Sequence, residues 1–361
     1  MSKRTRLSES LLLSAVVMAL TAGVAAAKDK VTISLIQLLT AQEWASEFAN
    51  GARAAVADLG ADKVQLRIQG PAGWDLQKEA QTALSEVERG TDAIVLTNGG
   101  GMIEPAHLIE QKGVPVTWIL VAPPDEVSGA FFVGSDNYAV GSAGADLIIP
   151  VLEKKYGKPA SEISGVVVQG ICVPGATNLS RRLAGIEDAV KRRMPKATVL
   201  PPFDSKLEYA QSYAAWDQAI KKYPKALFYT DPCQDPNESI QKIRADDKLD
   251  VPQVYYDNPE VARLAVKTGE ITGIVSSNRF TEGYVAVYVT AQRLLKNEKM
   301  PVGWLKVPHK VITTANADDF IAAWANSGAG LRKFYDKEIT ATRDLPLSQL
   351  PPTSEYNRSS K

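Results

Sequence analysis

The chain has 361 residues, with 41 basic side chains balanced by 41 acidic ones, two histidines and two cysteines. This balance leaves no basic footprint for nucleic acid or for an acidic membrane face. The length exceeds that at which one hydrophobic core stops growing, so two domains are expected.

Lys3, Arg4 and Arg6 precede the apolar run LLLSAVVMALTAGVAAA, which closes on the small residues Ala25 to Ala27. A basic start, a short apolar middle and an A-x-A end predict a secretory signal peptide over residues 1–27. The alternative is an uncleaved anchor, but the run is shorter than the ~20 residues a membrane span needs. No cysteine follows the cleavage site, which argues against a lipid anchor. Removal of the segment leaves 38 basic against 40 acidic residues, a net charge of −2 on an exported, soluble chain.

From Val31 onward, short β-rich runs alternate with helical stretches. VTISLIQ leads into EWASEFANGARAAVADLG, whose apolar residues recur at helical spacing and which stops at Gly60. VQLRIQ, the helix DLQKEAQTALSEVERG, the strand DAIVLT, the helix EPAHLIEQKG, the strand VPVTWIL and a short strand AFFVG follow. This is the rhythm of a parallel sheet covered by helices on both faces.

The rhythm then restarts. GVVVQGI, a helix through Ala189, the strand ATVLPP, a helix around AQSYAAWDQAIKKY, ALFYTD, a helix from Asn237 and PQVYYD repeat the order. The expected fold is therefore α/β, with two doubly wound, Rossmann-like domains and a crossing near GSDNYAVG. GIVSSNRFTEGYVAVYVTAQRLLK and HKVITTANADDFIAAWA read as closing elements that return between the domains. Beyond about Tyr335 the chain turns polar and proline-containing, and a loosely packed tail is expected over 336–361.

Four stretches resemble the type I periplasmic solute-binding proteins of ABC importers, in their sugar-binding branch. They are VTISLIQLLTAQEWASEFANGARAAVADLG, ALSEVERGTDAIVLTNGG with GVPVTW, FFVGSDNYAVGSAGADLI, and ALFYTDPCQDP with PQVYYDNPE. The resemblance spans roughly residues 30–330. It implies two lobes joined by three crossing strands, closing on a ligand by hinge motion. The first lobe would comprise 28–138 plus 278–310, and the second 139–277 plus 311–335. Strand order points to the same site, since open parallel sheets bind ligands beyond the carboxyl ends of their strands.

The resemblance assigns ligand roles to eight positions. Trp44 falls where sugar binders set an aromatic ring against the ligand face; the alternative is a Trp packed between helix and sheet. Gln42 would bond a hydroxyl, or else cap a helix or lie on the surface. Asp231 and Asp257 end consecutive strands of the second domain and would accept paired bonds from vicinal hydroxyls, although both also sit in turn-forming sequences. Asn178 or Ser180 offers a polar group from a helix start, Phe203 a second-domain aromatic wall, and Ser277 a hinge-side polar group.

Two departures stand out. The family's Asp-Arg pair at the end of the fourth strand is replaced by WILVAPP, giving Leu120 and Val121. Its arginine near Ser180 is displaced, although Arg181 and Arg182 follow directly. Fewer fixed charges imply a ligand with fewer hydroxyls or with an apolar face.

Cys172 follows the first strand of the second domain and Cys233 its third, and these strands are neighbours in the usual doubly wound order. Export and this adjacency predict a Cys172–Cys233 disulfide on the cleft rim. A cysteine nucleophile would need a base, and neither His107 nor His309 is placed beside Cys172. No C-x-x-C or H-x-x-x-H spacing marks a metal site. TNGGGM lacks the Lys-Ser/Thr of a phosphate loop and reads as a turn with close backbone approach.

The resemblance thus implies a periplasmic, monomeric binding protein without cofactor or metal. It would hand a small sugar or polyol-like ligand to an inner-membrane ABC permease. GPAGWDLQKEAQ adds a likeness to sensor members that signal to a membrane histidine kinase, which keeps that alternative open. An enzyme is the weakest reading, because no G-x-G-x-x-G follows the first strand and no acid–base pair is evident.

Overall fold

A computed structural model describes residues 28–100, 102–123, 127 and 129–348. The expected signal peptide and the segment 349–361 lie outside the described residues.

The chain opens with β1 (Val31–Ile36), α1 (Glu43–Leu59), β2 (Val64–Gln69), α2 (Leu76–Glu88), β3 (Ala93–Thr97), α3 (Ile103–Gln111), β4 (Val116–Ile119) and β5 (Phe131–Ser135). These strands lie parallel in the order β2-β1-β3-β4-β5. β1 lies inside the sheet between β2 and β3, and all its residues but Thr32 are buried, as expected of an apolar strand covered on both faces. β2 closes one edge, and its polar Gln65 and Gln69 face solvent.

The second half comprises α4 (Asn137–Tyr156), β6 (Gly165–Ile171), α5 (Thr177–Arg193), β7 (Ala197–Val199), β8 (Phe203–Asp204), α6 (Tyr209–Lys222), β9 (Phe228–Thr230), α7 (Gln234–Asp246), β10 (Val254–Tyr255), α8 (Glu260–Thr268) and β11 (Gly273–Ser276). β6 carries β7, β8 and β9 as parallel partners, while β10 and β11 pair beside them. The strand expected at ATVLPP is split. Pro201 and Pro202 carry no amide proton for a ladder, so β7 stops at Val199 and β8 begins at Phe203.

The chain passes between the two halves three times. Asp136 separates β5 from α4 and caps that helix through the Tyr138 amide, 3.1 Å away. Ser277 and Asn278 separate β11 from α9 (Arg279–Leu295), which packs on α1. Pro308 and His309 separate β12 (Gly303–Val307), the sixth parallel strand of the first sheet, from β13 (Lys310–Ile312), which runs antiparallel to β11. Asn278 adopts a left-handed conformation at φ 61°. Its side chain accepts from the Thr281 amide and donates to the Pro308 carbonyl at 3.2 Å, tying the second crossing to the third.

Each half is clamped by a helix pair that glycines bring together. A Cβ on Gly51 of α1 would lie 2.0 Å from the Phe280 carbonyl oxygen of α9, and one on Gly185 of α5 the same distance from that of Tyr138 in α4. Any other residue would push these helices apart.

The tail departs from expectation. α10 (Ala317–Ala325) packs on α8 of the second half, but α11 (Ser327–Phe334) returns to α1 of the first. α12 (Asp336–Asp344) then packs on α9, with Ile339 and Thr342 fully buried, and Ser348 bridges to Trp304 of β12. The segment 311–335 therefore touches both halves, and 336–348 is a packed element. Its polar composition hid one apolar stripe, since a helix needs only its inner face to be buried.

Glu79 of α2 is fully buried beside the Gly99 amide, meets no side-chain donor among the described residues, and burial pushes its carboxyl up to about 8. The folded chain therefore keeps a proton that the unfolded chain releases above pH 4.5, so this group favours folding at low pH and loses that contribution as pH rises to about 8. Glu79→Gln should raise the melting temperature at pH 8 and leave it nearly unchanged at pH 5. An identical shift at both pH values would show that Glu79 is ionised throughout.

Candidate functional site

The carboxyl ends of the strands in the two halves face one another across a cleft of about 490 Å³. Gln42, Trp44, Trp74, Asn98, Leu120 and Val121 line it from the first half, and Asn178, Leu207, Asp235, Asp257 and the two cysteines from the second. Arg279, at the start of α9 beside the second crossing, completes the lining.

Of the sequence-assigned residues, Gln42, Trp44, Asn178 and Asp257 meet in this cleft. The Trp44 indole N–H donates to Gln42, and its ring meets Phe48 edge-on at 6.2 Å. Trp44 is thus both a cleft residue and a member of the first core, so the two readings of it coincide.

Four assignments do not reach the lining. Asp231 is fully buried beneath the Pro232–Cys233 turn, where one carboxylate oxygen accepts from the Cys233 amide at 3.1 Å. Burial pushes its carboxyl up to about 7, opposed by Ser205, the Cys233 amide and Trp216. Phe203 packs edge-on against Trp216 at 4.8 Å, because the pairing of β8 with the end of β6 turns it into that apolar cluster. Ser180 is buried in the first turn of α5, its amide bonded to the Ala176 carbonyl. The Ser277 hydroxyl accepts from Arg182 at 2.9 Å, and its carbonyl accepts from Ser135, so it belongs to the hinge.

Arg182 is the hub of that hinge. Fully buried in α5, it donates to the Pro232 carbonyl and to Asn137 Oδ1, each at 2.7 Å, as well as to Ser277. Burial lowers its pKa to about 10, against the pull of Asp257. Glu282 of α9 accepts from both the amide and the hydroxyl of Ser135 at 3.0 Å. A chain of bonds therefore runs from Glu282 through Ser135 and Ser277 to Arg182.

Arg279 supplies the guanidinium that the sequence lacked at Leu120 and near Ser180. It forms an ion pair with Asp257, and its guanidinium carbon lies 5.0 Å from the centre of the Trp44 ring. Burial opposes its charge, but Asp257 and then Glu47 outweigh burial and raise its pKa. The signal available in sequence was its place directly after a strand end, at the start of a helix. The αL turn at Asn278 aims it into the cleft. Trp74 was also missed as a lining residue. It is 37% exposed in the glycine-rich loop before α2, where its ring has no core to enter.

The halves also touch along the first turns of α1. Glu43 accepts from the Glu260 amide at 2.7 Å and from Arg263 at 3.4 Å. Glu47 accepts from Asn258 at 2.9 Å, and Gln42 donates to Asp235 at 3.5 Å. Polar links of this kind can exchange with water, so they permit the halves to separate and re-form.

Cys172 and Cys233 form a disulfide at the ends of β6 and β9, with Cα atoms 6.2 Å apart. Together with Asp231 they are the one cluster of metal-ligand types among the described residues, and with both sulfurs bonded to each other neither is a thiolate. Asn98, Gly99 and Gly100 line the cleft as a turn, with the Asn98 side chain accepting from the Gly100 amide at 2.9 Å. No helix among the described residues is long and apolar enough to cross a membrane.

Solved structures share this architecture. A carbohydrate transporter solute-binding protein from Agrobacterium radiobacter, in complex with D-arabinose, aligns with a TM-score of 0.71 at 24% identity, covering 81% of this chain and 97% of that one. An ABC transporter periplasmic solute-binding protein from Actinobacillus succinogenes with bound D-allose aligns with a TM-score of 0.71 at 16% identity, over 80% of this chain and 100% of its own. A glucose-galactose binding protein from Geobacillus stearothermophilus gives a TM-score of 0.68 at 19% identity, over 80% and 99%. Among curated proteins, none matches the chain in sequence. The model of the periplasmic binding protein domain matches residues 33–299. With two doubly wound halves, three crossings and a cleft between strand tips, the chain belongs to the periplasmic binding protein domain family.

Proposed function

We propose that this protein captures a small sugar or polyol-like ligand in the periplasm and delivers it unaltered, as a monomer, to an inner-membrane ABC permease. The observation that carries this reading is a cavity bounded by both halves, in which an indole and an amide face a carboxylate–guanidinium pair. Rings cover the C–H faces of a sugar, while ionised groups make the stronger bonds to its hydroxyls. The relatives with bound D-arabinose and D-allose support the same ligand class. Contacts to both halves favour the closed state, so binding is a population shift and no bond is made or broken. Localisation follows from the signal peptide expected over residues 1–27.

A thermal-shift screen of pentoses, hexoses and polyols tests the proposal, since a true ligand raises the melting temperature by mass action. With the ligand so identified, Trp74→Ala should weaken binding by about 1–3 kcal/mol and leave unfolding unchanged. Trp44→Ala should weaken both, because that ring also belongs to the core. Unchanged dissociation constants in both variants, or chemical turnover of the bound sugar, would contradict the reading.

A further inference from the structure

The titratable residues of the cleft are unequally compensated. Asp257 is paired with Arg279, but the carboxylate of Asp235, half-buried at the start of α7, meets only the Gln42 amide at 3.5 Å among the described residues. Behind it, Glu238 accepts from Gln234 at 3.1 Å, and Glu208 adds a third carboxylate. The charges that act on Asp235 are those of Glu208 and Asp257; those that act on Glu238 are Asp235, Glu43 and Asp257. All are acidic. Burial, reinforced by these neighbours, pushes Asp235 up to about 6 and Glu238 up to about 7.

A helix N-terminus stabilises one carboxylate in its first turn, but that does not account for two more behind it. Gln234 also lines the cleft, and its carbonyl oxygen is buried without a donor. This wall therefore offers acceptors and negative charge, next to the indoles of Trp44 and Trp74. A neutral hydroxyl brings one donor to such a wall. An ammonium group brings three, with the charge that the wall lacks.

Resting on the reading of the cleft as a sugar or polyol site, we infer that the ligand carries a protonated amine on its hydroxylated skeleton, and that Asp235 holds the ammonium group. An amino sugar is the chemical class that meets both walls. Its hydroxyls face Asp257 and Arg279, and its amine faces Asp235 and Gln234.

Calorimetric titration at pH 7 with the pairs D-glucosamine and D-glucose, D-galactosamine and D-galactose, and D-mannosamine and D-mannose tests this. In at least one pair the amine should bind tenfold or more tightly than its neutral counterpart, as a charge-assisted bond provides. Asp235→Asn should bring that ratio close to one. Neutral sugars that match or exceed the amines in every pair, or a ratio unmoved in Asp235→Asn, would overturn the inference while leaving sugar capture intact. No binding by any member of the three pairs would overturn the inference, and the reading on which it rests falls only if the wider screen of pentoses, hexoses and polyols also finds no ligand.

Discussion

Replacing Arg279 by methionine is expected to lower the unfolding free energy by about 3–5 kcal/mol, the cost of leaving a buried charge without its partner. The cause is local and electrostatic. The Arg279 side chain is 7% exposed and that of Asp257 5%, so water can screen neither. Glu47 and Glu282 lie close by, and burial pushes each carboxyl up to about 7 against the pull of Arg279. Without the guanidinium, Asp257 keeps its desolvation cost and loses its counter-charge, and the two glutamates shift further toward the protonated form. Ligand binding should be lost as well. The double variant Arg279→Met with Asp257→Leu separates the two roles: it should recover most of the stability, as apolar replacement of a buried pair does, but not the binding. Urea denaturation of both variants checks this. A single variant as stable as the native chain would show that the pair is solvated.

The second large effect concerns the cleft rim. Cys172 and Cys233, 61 residues apart, close a loop that includes α5, β7, β8 and α6. Chain-entropy arithmetic for a loop of that length gives about 4 kcal/mol of stabilisation, through restriction of the unfolded state. Cys172→Ser with Cys233→Ser should therefore lower the urea midpoint of the second half by an amount comparable to that of Arg279→Met. It should also free the Pro232–Cys233 turn from the end of β6, since the bond spans those two loops. Equal midpoints with and without the bond would mean that the unfolded chain is already compact over this loop.

Much of this architecture was legible because strand–helix alternation and strand-end loops are local signals. The runs VTISLIQ and GVVVQGI, the helix starts after them and the restart at residue 165 needed no tertiary knowledge. Gln42, Trp44, Asn178 and Asp257 reach the cleft because each lies in a loop after a strand end or in the first turn of the helix that follows one. Asp231 ends its strand at the expected place, but Pro232 and Cys233 fold over it, and the disulfide occupies the lining in its stead. The resemblance makes Phe203 a wall residue, but its register against Gly170 turns it inward. The resemblance makes Ser277 a hinge-side polar group, and its hydroxyl accepts from Arg182 within the hinge. Arg279 could not be assigned, since its reach into the cleft depends on one left-handed turn at Asn278 and on the third crossing that holds it.

Small-angle scattering of the protein, with and without the sugar that most raises its melting temperature, measures the central claim directly. Closure of two hinged halves on a shared ligand predicts a saturable fall in the radius of gyration that tracks occupancy. It also predicts that Trp74→Ala shifts the fall to higher ligand concentration. A radius unchanged at full occupancy would contradict capture between the halves.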